Sequence, residues 1–587
     1  MESRSTPEFA PHYDVVILGA GLAGLTLARQ LLRETDVSIL LVDRRAEVPN
    51  PCQKVGEATV QLSGYYLGRV LDLEEHLLHD QLPKYNLRFY WRTAGRANQD
   101  FEDLSQAYIR SFSNIMTYQL DRNTIEQELL RLNREDPRCR IEYPVRDLEV
   151  DLVDVGQHRV RFTVGGRAVE VGAGWVADTS GRGRFLARRL DLMRRNPIQH
   201  AAYFFWVDGM LDIERMTSLD DRGRRLKSDR RFLGHSPALL ATNHFCGEGY
   251  WFWVIPLRHK TSLGLVFDAQ RISPEDVNSL DKLLAWVGRE YPLFEREFRR
   301  RHVREFSGIR DFSHSCAQTI SEHGWGMSGE AGRFLDPLYS PGSDFIAIHN
   351  TLLVDAIKTT DREELAAKCK RYEQLERALY EGFVPSYAYS YDTLGDPEAY
   401  YFKYVWELAV YFGFYVFPFL NDFFTDPRFQ PLFLSRFSRL GRLNHELLTF
   451  LNDFYHWKKT ACEPLAAPVF AEFTALRPLA DAERTFYEIG VTIEEARAVL
   501  DRQLANLRDL ARLTAAHVAS RVVDDPDLVR NRAFVEGIDL EHIRFDAAAI
   551  AARAAAAPAG EPYAWPFDIA ILDRFWTPRR ATGEAAG

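Results

Sequence analysis

Cysteine is scarce and scattered in this chain: six thiols in 587 residues, at Cys52, Cys139, Cys246, Cys316, Cys369 and Cys462. No CxxC pair occurs among them, which excludes a zinc ribbon or a disulfide scaffold. His76 and His79 lie three apart without a third ligand nearby, so they read as a solvated helix face and no metal site is expected. Basic residues are not in excess. Lys and Arg number 73 against 83 Asp and Glu, a net charge of −10. With no long basic run, nucleic acid is not an expected partner. The opening MESRSTPEFAPHYD lacks the charged-then-apolar order of a secretory signal, and a reducing, cytoplasmic setting is expected. No internal repeat is visible. What is present is ordinary for a globular protein, 46% hydrophobic and 27% charged, so a disordered or fibrous chain is excluded.

The first chemistry is close to the start. YDVVIL (residues 13–18) is a short apolar run of the kind that forms a buried parallel strand. It leads into Gly19, Gly21 and Gly24, then a helical pattern, then the apolar run VSILLV ending at Asp43. Strand, glycine turn, helix, strand and acid in that order form the dinucleotide-binding pattern. Gly19 permits the tight turn, Gly21 lets a pyrophosphate approach the backbone, and Gly24 lets helix and strand pack closely. The helix N-terminus offers unpaired N–H groups, and Asp43 is placed to accept from a ribose hydroxyl.

Two later segments favour FAD. GWVADTSGRGRF places Asp178 at a strand end before a turn. WGMSGEAGRFLDPLYSPG contains Gly329, Glu330 and Asp336, and resembles the second FAD-contacting segment of flavin monooxygenases of the hydroxybenzoate-hydroxylase type, with Glu330 where aspartate is usual. YWFWVIP, with Trp251, Trp253, Ile255 and Pro256, fits a WxWxIP signature. KVGEATV contains Glu57 in a VGEAT segment, and QLPKYNLRFYW places Lys84 before an alternating strand. Together these segments resemble the flavin-dependent halogenases, in the same order, over roughly residues 12–360.

The resemblance implies that reduced FAD, O2 and chloride or bromide generate hypohalous acid, and that Lys84 is the catalytic residue that orients it toward one ring carbon. It implies cofactor contacts at Gly19, Gly21, Gly24, Asp43, Glu57, Asp178, Gly329, Glu330 and Asp336. It places the halide at Ser340 and Gly342, and makes Trp251 and Trp253 a partition between flavin and substrate. It also implies a separate flavin reductase as partner, and a small aromatic substrate, free or carried on a carrier protein. Tryptophan halogenases have a glutamate just before the halide turn. Tyr339 stands there, which points to phenol- or pyrrole-type substrates. Pro341 has no N–H and so removes one donor from the turn. A halide-independent flavin monooxygenase on the same scaffold is the alternative.

The expected fold is α/β, a Rossmann-type FAD-binding domain with a β-sheet substrate domain and a mainly helical C-terminal region. The FAD module is read over 12–360, with the substrate-side sheet interleaved at about 85–118 and 200–310, and the helical region over 361–587. Gly165-Gly166 reads as a hairpin turn. Thr492 and Glu495 read as a capping box. The aromatic stretch 400–425 is long enough to span a bilayer, but Glu407, Gly413 and Pro418 interrupt it. A buried helix or chamber wall is expected there, and membrane contact is not.

Overall fold

The computed structural model describes residues 9–223, 237–558 and 560–580. Its first sheet is built around His12–Leu18, which lies parallel between Ile39–Val42 and Arg167–Asp178. Trp325–Met327 and Cys139–Glu142 extend the parallel order outward. All four residues of Ile39–Val42 are buried, as expected for a strand covered on both faces. The chain order reverses around His12–Leu18, so its carboxyl end opens a crevice at the switch point. Gly165 and Gly166, both with positive φ, join His158–Val164 to Arg167–Asp178 as an antiparallel hairpin, and this leads into Asp178 as the sequence suggested.

The second sheet has eight strands. In spatial order these are Val303–Ile309, His200–Asp208, Lys260–Asp268, Tyr250–Pro256, Ala241–Gly247, Asn86–Trp91, Ser105–Tyr108 and Phe470–Glu472. Period-two alternation sorts its side chains onto two faces. Trp251, Trp253 and Ile255 join the large central core. Phe252 and Val254 pack instead in a cluster with Leu283, Trp286 and Val287 of the helix Leu280–Glu290.

The last strand was not anticipated. Phe470–Glu472 comes from the region read as helical, and pairs in parallel with Ser105–Tyr108. The rest of that region is helical, with long helices Arg362–Ala388, Phe429–Ala461 and Ile493–Val523. Thr492 and Glu495 form the expected capping box at the start of the last. The aromatic stretch folds as the helix Pro397–Tyr411, a π-turn over Phe412–Val416 and the short helix Phe417–Leu420. Its aromatic side chains are buried. No helix among the described residues is long and apolar enough to cross a membrane.

A buried ionic knot fixes this helical region. Glu398 lies 2.6 Å from Lys458, 2.7 Å from His517 and 3.2 Å from Arg521. Burial opposes its charge, yet these three groups hold its carboxyl far below the usual range. One carboxylate thereby ties together three helices.

Candidate active site

At the carboxyl end of His12–Leu18, a cleft of about 530 Å3 is lined by Gly19, Gly21, Asp43, Arg44, Thr179 and Gly181, among others. The three glycines have different surroundings. A Cβ on Gly24 would come to 2.0 Å from the Gly19 carbonyl oxygen, and one on Gly19 to 2.7 Å from that of Thr179. A Cβ on Gly21 would meet no protein atom within 4 Å, yet Gly21 lines the cleft and caps the helix Leu22–Glu34. Gly19 and Gly24 allow the backbone to close, and Gly21 leaves open the space before the helix N-terminus that a pyrophosphate requires. The residues present therefore fit a dinucleotide.

Asp43 presents an ion pair to the cleft. One carboxylate oxygen accepts the Ala20 N–H at 2.7 Å, and Arg45 donates to both oxygens at 2.6 and 2.9 Å. Burial alone would raise its pKa, but the Arg45 hydrogen bonds and charge prevail and hold it below the usual range. Asp178 is fully buried and does not line the cleft. It accepts the N–H groups of Ser180 at 2.9 Å and Leu186 at 2.6 Å, so it shapes the turn that carries Thr179 to Gly181.

A second cavity, of about 160 Å3, lies between the second sheet and the segments around Gly56, Gly329 and Ser340. Glu57, Trp251, Trp253, Gly329, Glu330, Ser340 and Gly342 all line it, so segments far apart in sequence meet here. Trp251 and Trp253 lie with ring centroids 5.7 Å apart. Trp253 donates to Ser262 Oγ at 3.0 Å, and Trp251 to Tyr391 Oη at 2.7 Å. Glu57 accepts the Trp206 indole N–H at 2.6 Å, and burial pushes its carboxyl up to about 7 against that bond. Asp336 is placed differently. Its carboxylate is fully buried and holds His200 at 2.6 Å, Tyr391 at 3.2 Å and the Leu338 N–H at 2.8 Å. It anchors the turn and, through Tyr391, the Trp251 ring.

That turn separates the second cavity from a third. Tyr339 and Ser340 both have positive φ, 69° and 61°, a conformation costly for residues with a side chain and found where surrounding structure enforces it. The turn ends at Pro341, first residue of the helix Pro341–Ile357. A proline there forfeits nothing the helix uses, because first-turn N–H groups have no intrahelical acceptor. The N–H groups of Gly342 and Ser343 follow it, and no side chain caps this end. Pro341 lines both cavities.

The third cavity, of about 70 Å3, contains Lys84. The side chain is 3% exposed and its Nζ has no hydrogen-bond partner. Burial pushes its ammonium down to about 7, opposed by the charge of Asp344. Asp344, on the first turn of Pro341–Ile357, accepts the Ser63 N–H at 2.9 Å and the Tyr411 hydroxyl at 2.8 Å. Burial raises it to about 6 despite these bonds. Neither Asp344 nor Tyr411 was singled out from the sequence. The signal for Asp344 was its place directly after the SPGS turn. The aromatic part of its wall comes largely from the C-terminal region, including Tyr404, Tyr411 and Phe412.

With this geometry established, known proteins supply a context. No protein-family model matches the chain. In sequence it is similar to the flavin-dependent halogenase chlA of Dictyostelium discoideum, 27% identical over 372 residues that cover 59% of this chain and 60% of that protein. It is also similar to a pyrrole-2-carbonyl peptidyl-carrier-protein chlorinase of Pseudomonas fluorescens, 25% identical over 371 residues, 60% of this chain and 77% of the relative. The sequence similarity is thus to halogenases. The chain spans less than two thirds of the length of the Dictyostelium protein. Its fold matches the halogenase PltM, solved in complex with phloroglucinol and FAD, with a TM-score of 0.59 and 17% identity over 85% of this chain and 96% of that one.

Proposed function

We propose that this protein is an FAD-dependent halogenase acting on an electron-rich aromatic or heteroaromatic ring, free or tethered to a carrier protein. The observation that carries the reading is Lys84. It is a sealed, unpartnered amine in an aromatic cavity, across a strained turn from the cavity that holds the tryptophan pair. Relatives support the substrate class, since one is named for a pyrrole on a carrier protein and another was solved with phloroglucinol. A separate flavin reductase supplies reduced FAD in this reading, and the protein works in the cytoplasm.

Bound reduced FAD, with O2, supplies the oxidising power that turns halide into hypohalous acid. The chain does the rest. The glycine turn and the Asp43–Arg45 pair would hold the dinucleotide, with further contacts from Gly329 and Glu330. The N–H groups of Gly342 and Ser343, with Ser340, hold chloride or bromide at the helix N-terminus. Trp251 and Trp253 wall the cofactor off from the substrate. Lys84 then holds hypohalous acid as an ammonium donor. As a neutral amine it exchanges its N–H for an N–halogen bond with release of water. Either way one ring carbon is offered the halogen, and position supplies the selectivity.

The test combines the enzyme, a flavin reductase, NADH, FAD and bromide with extract small molecules, and reads products by mass spectrometry. A bromine isotope doublet is the expected result. A product that gains only oxygen, formed equally in halide-free buffer, would replace this reading with a flavin monooxygenase.

A further inference from the structure

The Lys84 cavity contains more unsatisfied polar chemistry than one lysine. Three side chains that line it each bury a polar atom with no hydrogen-bond partner: Lys84 Nζ, Tyr339 Oη and Glu407 Oε2. Apolar side chains, among them Val60, Leu87, Phe383 and Leu408, share the lining with polar ones such as Asn86 and Thr117. Unpaired buried polar atoms are costly and uncommon in native proteins. An unpartnered cation facing a carboxylate–phenol pair across one cavity therefore describes the polar outline of a ligand.

Glu407 is the informative member. It lies on the helix Pro397–Tyr411 and is 7% exposed. One carboxylate oxygen accepts from Lys403, one turn earlier on the same helix. Lys403 is fully buried and also donates to the Ser386 carbonyl at 2.9 Å. Lys403 thus fixes the carboxylate through one oxygen, and the carboxylate faces the Tyr339 phenol. The negative charge further raises the Tyr339 phenol, already raised by burial, so Glu407 and Tyr339 sit side by side.

We infer that Glu407 is a substrate-contacting residue that accepts a ring-conjugated O–H or N–H, and so selects aromatic rings bearing such a donor. This rests on the halogenase reading for its chemistry, but the binding claim stands separately. As the ring electron pair forms the carbon–halogen bond, the halogen–oxygen bond of hypohalous acid breaks. The substrate O–H or N–H proton passes to Glu407 Oε2, so the ring never carries a full positive charge. The departing hydroxide takes the proton from the halogenated carbon and leaves as water. Glu407 returns its proton to the substrate oxygen or nitrogen. The carboxylate thus comes from the C-terminal helix, while Tyr339 occupies the position before the turn.

The test uses full-length protein loaded with oxidised FAD, and calorimetry with matched probes. Phloroglucinol is paired with 1,3,5-trifluorobenzene, which has no O–H. Pyrrole-2-carboxamide is paired with furan-2-carboxamide, which has no ring N–H. The native protein should prefer the donor of at least one pair. Glu407→Gln keeps an acceptor for Lys403 and should retain fold and FAD. It should weaken the donor probe about tenfold to a hundredfold, the usual loss for a charge-assisted hydrogen bond, and leave its match unchanged. No donor preference in the native protein, or unchanged binding by the variant, overturns the inference. Donor preference that depends on Glu407, without halogenated product in the bromide assay, would overturn the proposed function and leave the binding role intact.

Discussion

A methyl group on Gly21 meets no protein atom within 4 Å, whereas one on Gly24 comes to 2.0 Å from a backbone oxygen. Two substitutions therefore separate packing from binding. Gly21 has a φ of −90°, which valine tolerates, so Gly21→Val should fold, unfold like the FAD-free native protein, and fail to retain FAD. Gly24→Ala should lose about 1–3 kcal/mol of stability through overpacking. Flavin absorbance after gel filtration and thermal unfolding read the two effects, and normal FAD retention by a folded Gly21→Val protein would refute the dinucleotide assignment. Lys84 makes a second residue-scale prediction. Its pKa falls from 10.5 to about 7 on folding, so between those values the unfolded chain binds the extra proton. Stability therefore falls as pH drops from 10.5 toward 7, and the penalty is fully present below about 7. Lys84→Met, similar in length and uncharged, should be more stable than the native protein at about pH 6, with the gain shrinking toward about pH 10. It should also form no halogenated product while retaining FAD. A pH-independent difference in melting temperature would show that Lys84 is not desolvated.

Local signals made the elements around the cofactor legible: apolar runs for the parallel strands, glycine spacing for the turn, and alternation for the tryptophan strand. Those signals work because strand burial and backbone approach are decided within a few residues. Asp344 and Glu407 escaped for the opposite reason. Each becomes part of the site only when the helices Pro341–Ile357 and Pro397–Tyr411 close on one cavity, and beyond the place of Asp344 after the SPGS turn nothing local marks that meeting. Asp336 shows the converse. Its motif suggested a cofactor contact, and the structure gives it His200, Tyr391 and a backbone N–H. The turn before Pro341–Ile357 carries an element-scale prediction. Ser340 has a φ of 61°, a region that glycine enters freely and β-branched residues resist. Ser340→Gly should leave stability unchanged or raise it by about 0.5 kcal/mol, whereas Ser340→Val should cost about 1–2 kcal/mol. The valine variant should also need more bromide for half-maximal product formation, because the helix N-terminus would no longer be held toward the cavity. Equal stability of both variants would mean that the turn stores no strain.

Across the whole molecule, the separation at residue 360 into a cofactor module and a helical region is crossed repeatedly, and three of the crossings show how. Phe470–Glu472 completes the edge of the substrate-side sheet. The Tyr411 hydroxyl donates to Asp344 and accepts the Leu62 N–H at 3.2 Å. The apolar core is continuous from Leu25 on the first helix to Phe412 and Leu447. Sequence composition showed the change from strands to helices but not these crossings, because a three-residue strand leaves no periodic signal and a core shared between distant segments leaves none at all. The consequence is energetic. Residues 1–360 alone would expose the inner face of the central core and leave the Ser105–Tyr108 edge unpaired, both of which favour aggregation. A chain ending at residue 360 should therefore be insoluble, or should show no cooperative unfolding transition and retain no FAD. Supplying residues 361–587 as a second chain during synthesis should recover soluble, flavin-bearing protein in proportion to the complex formed. Gel filtration with flavin absorbance, and calorimetry on the soluble fraction, measure both outcomes. A soluble 1–360 fragment that melts cooperatively with FAD bound would show instead that the cofactor module is an independent domain and that the helices are only the wall of its substrate chamber.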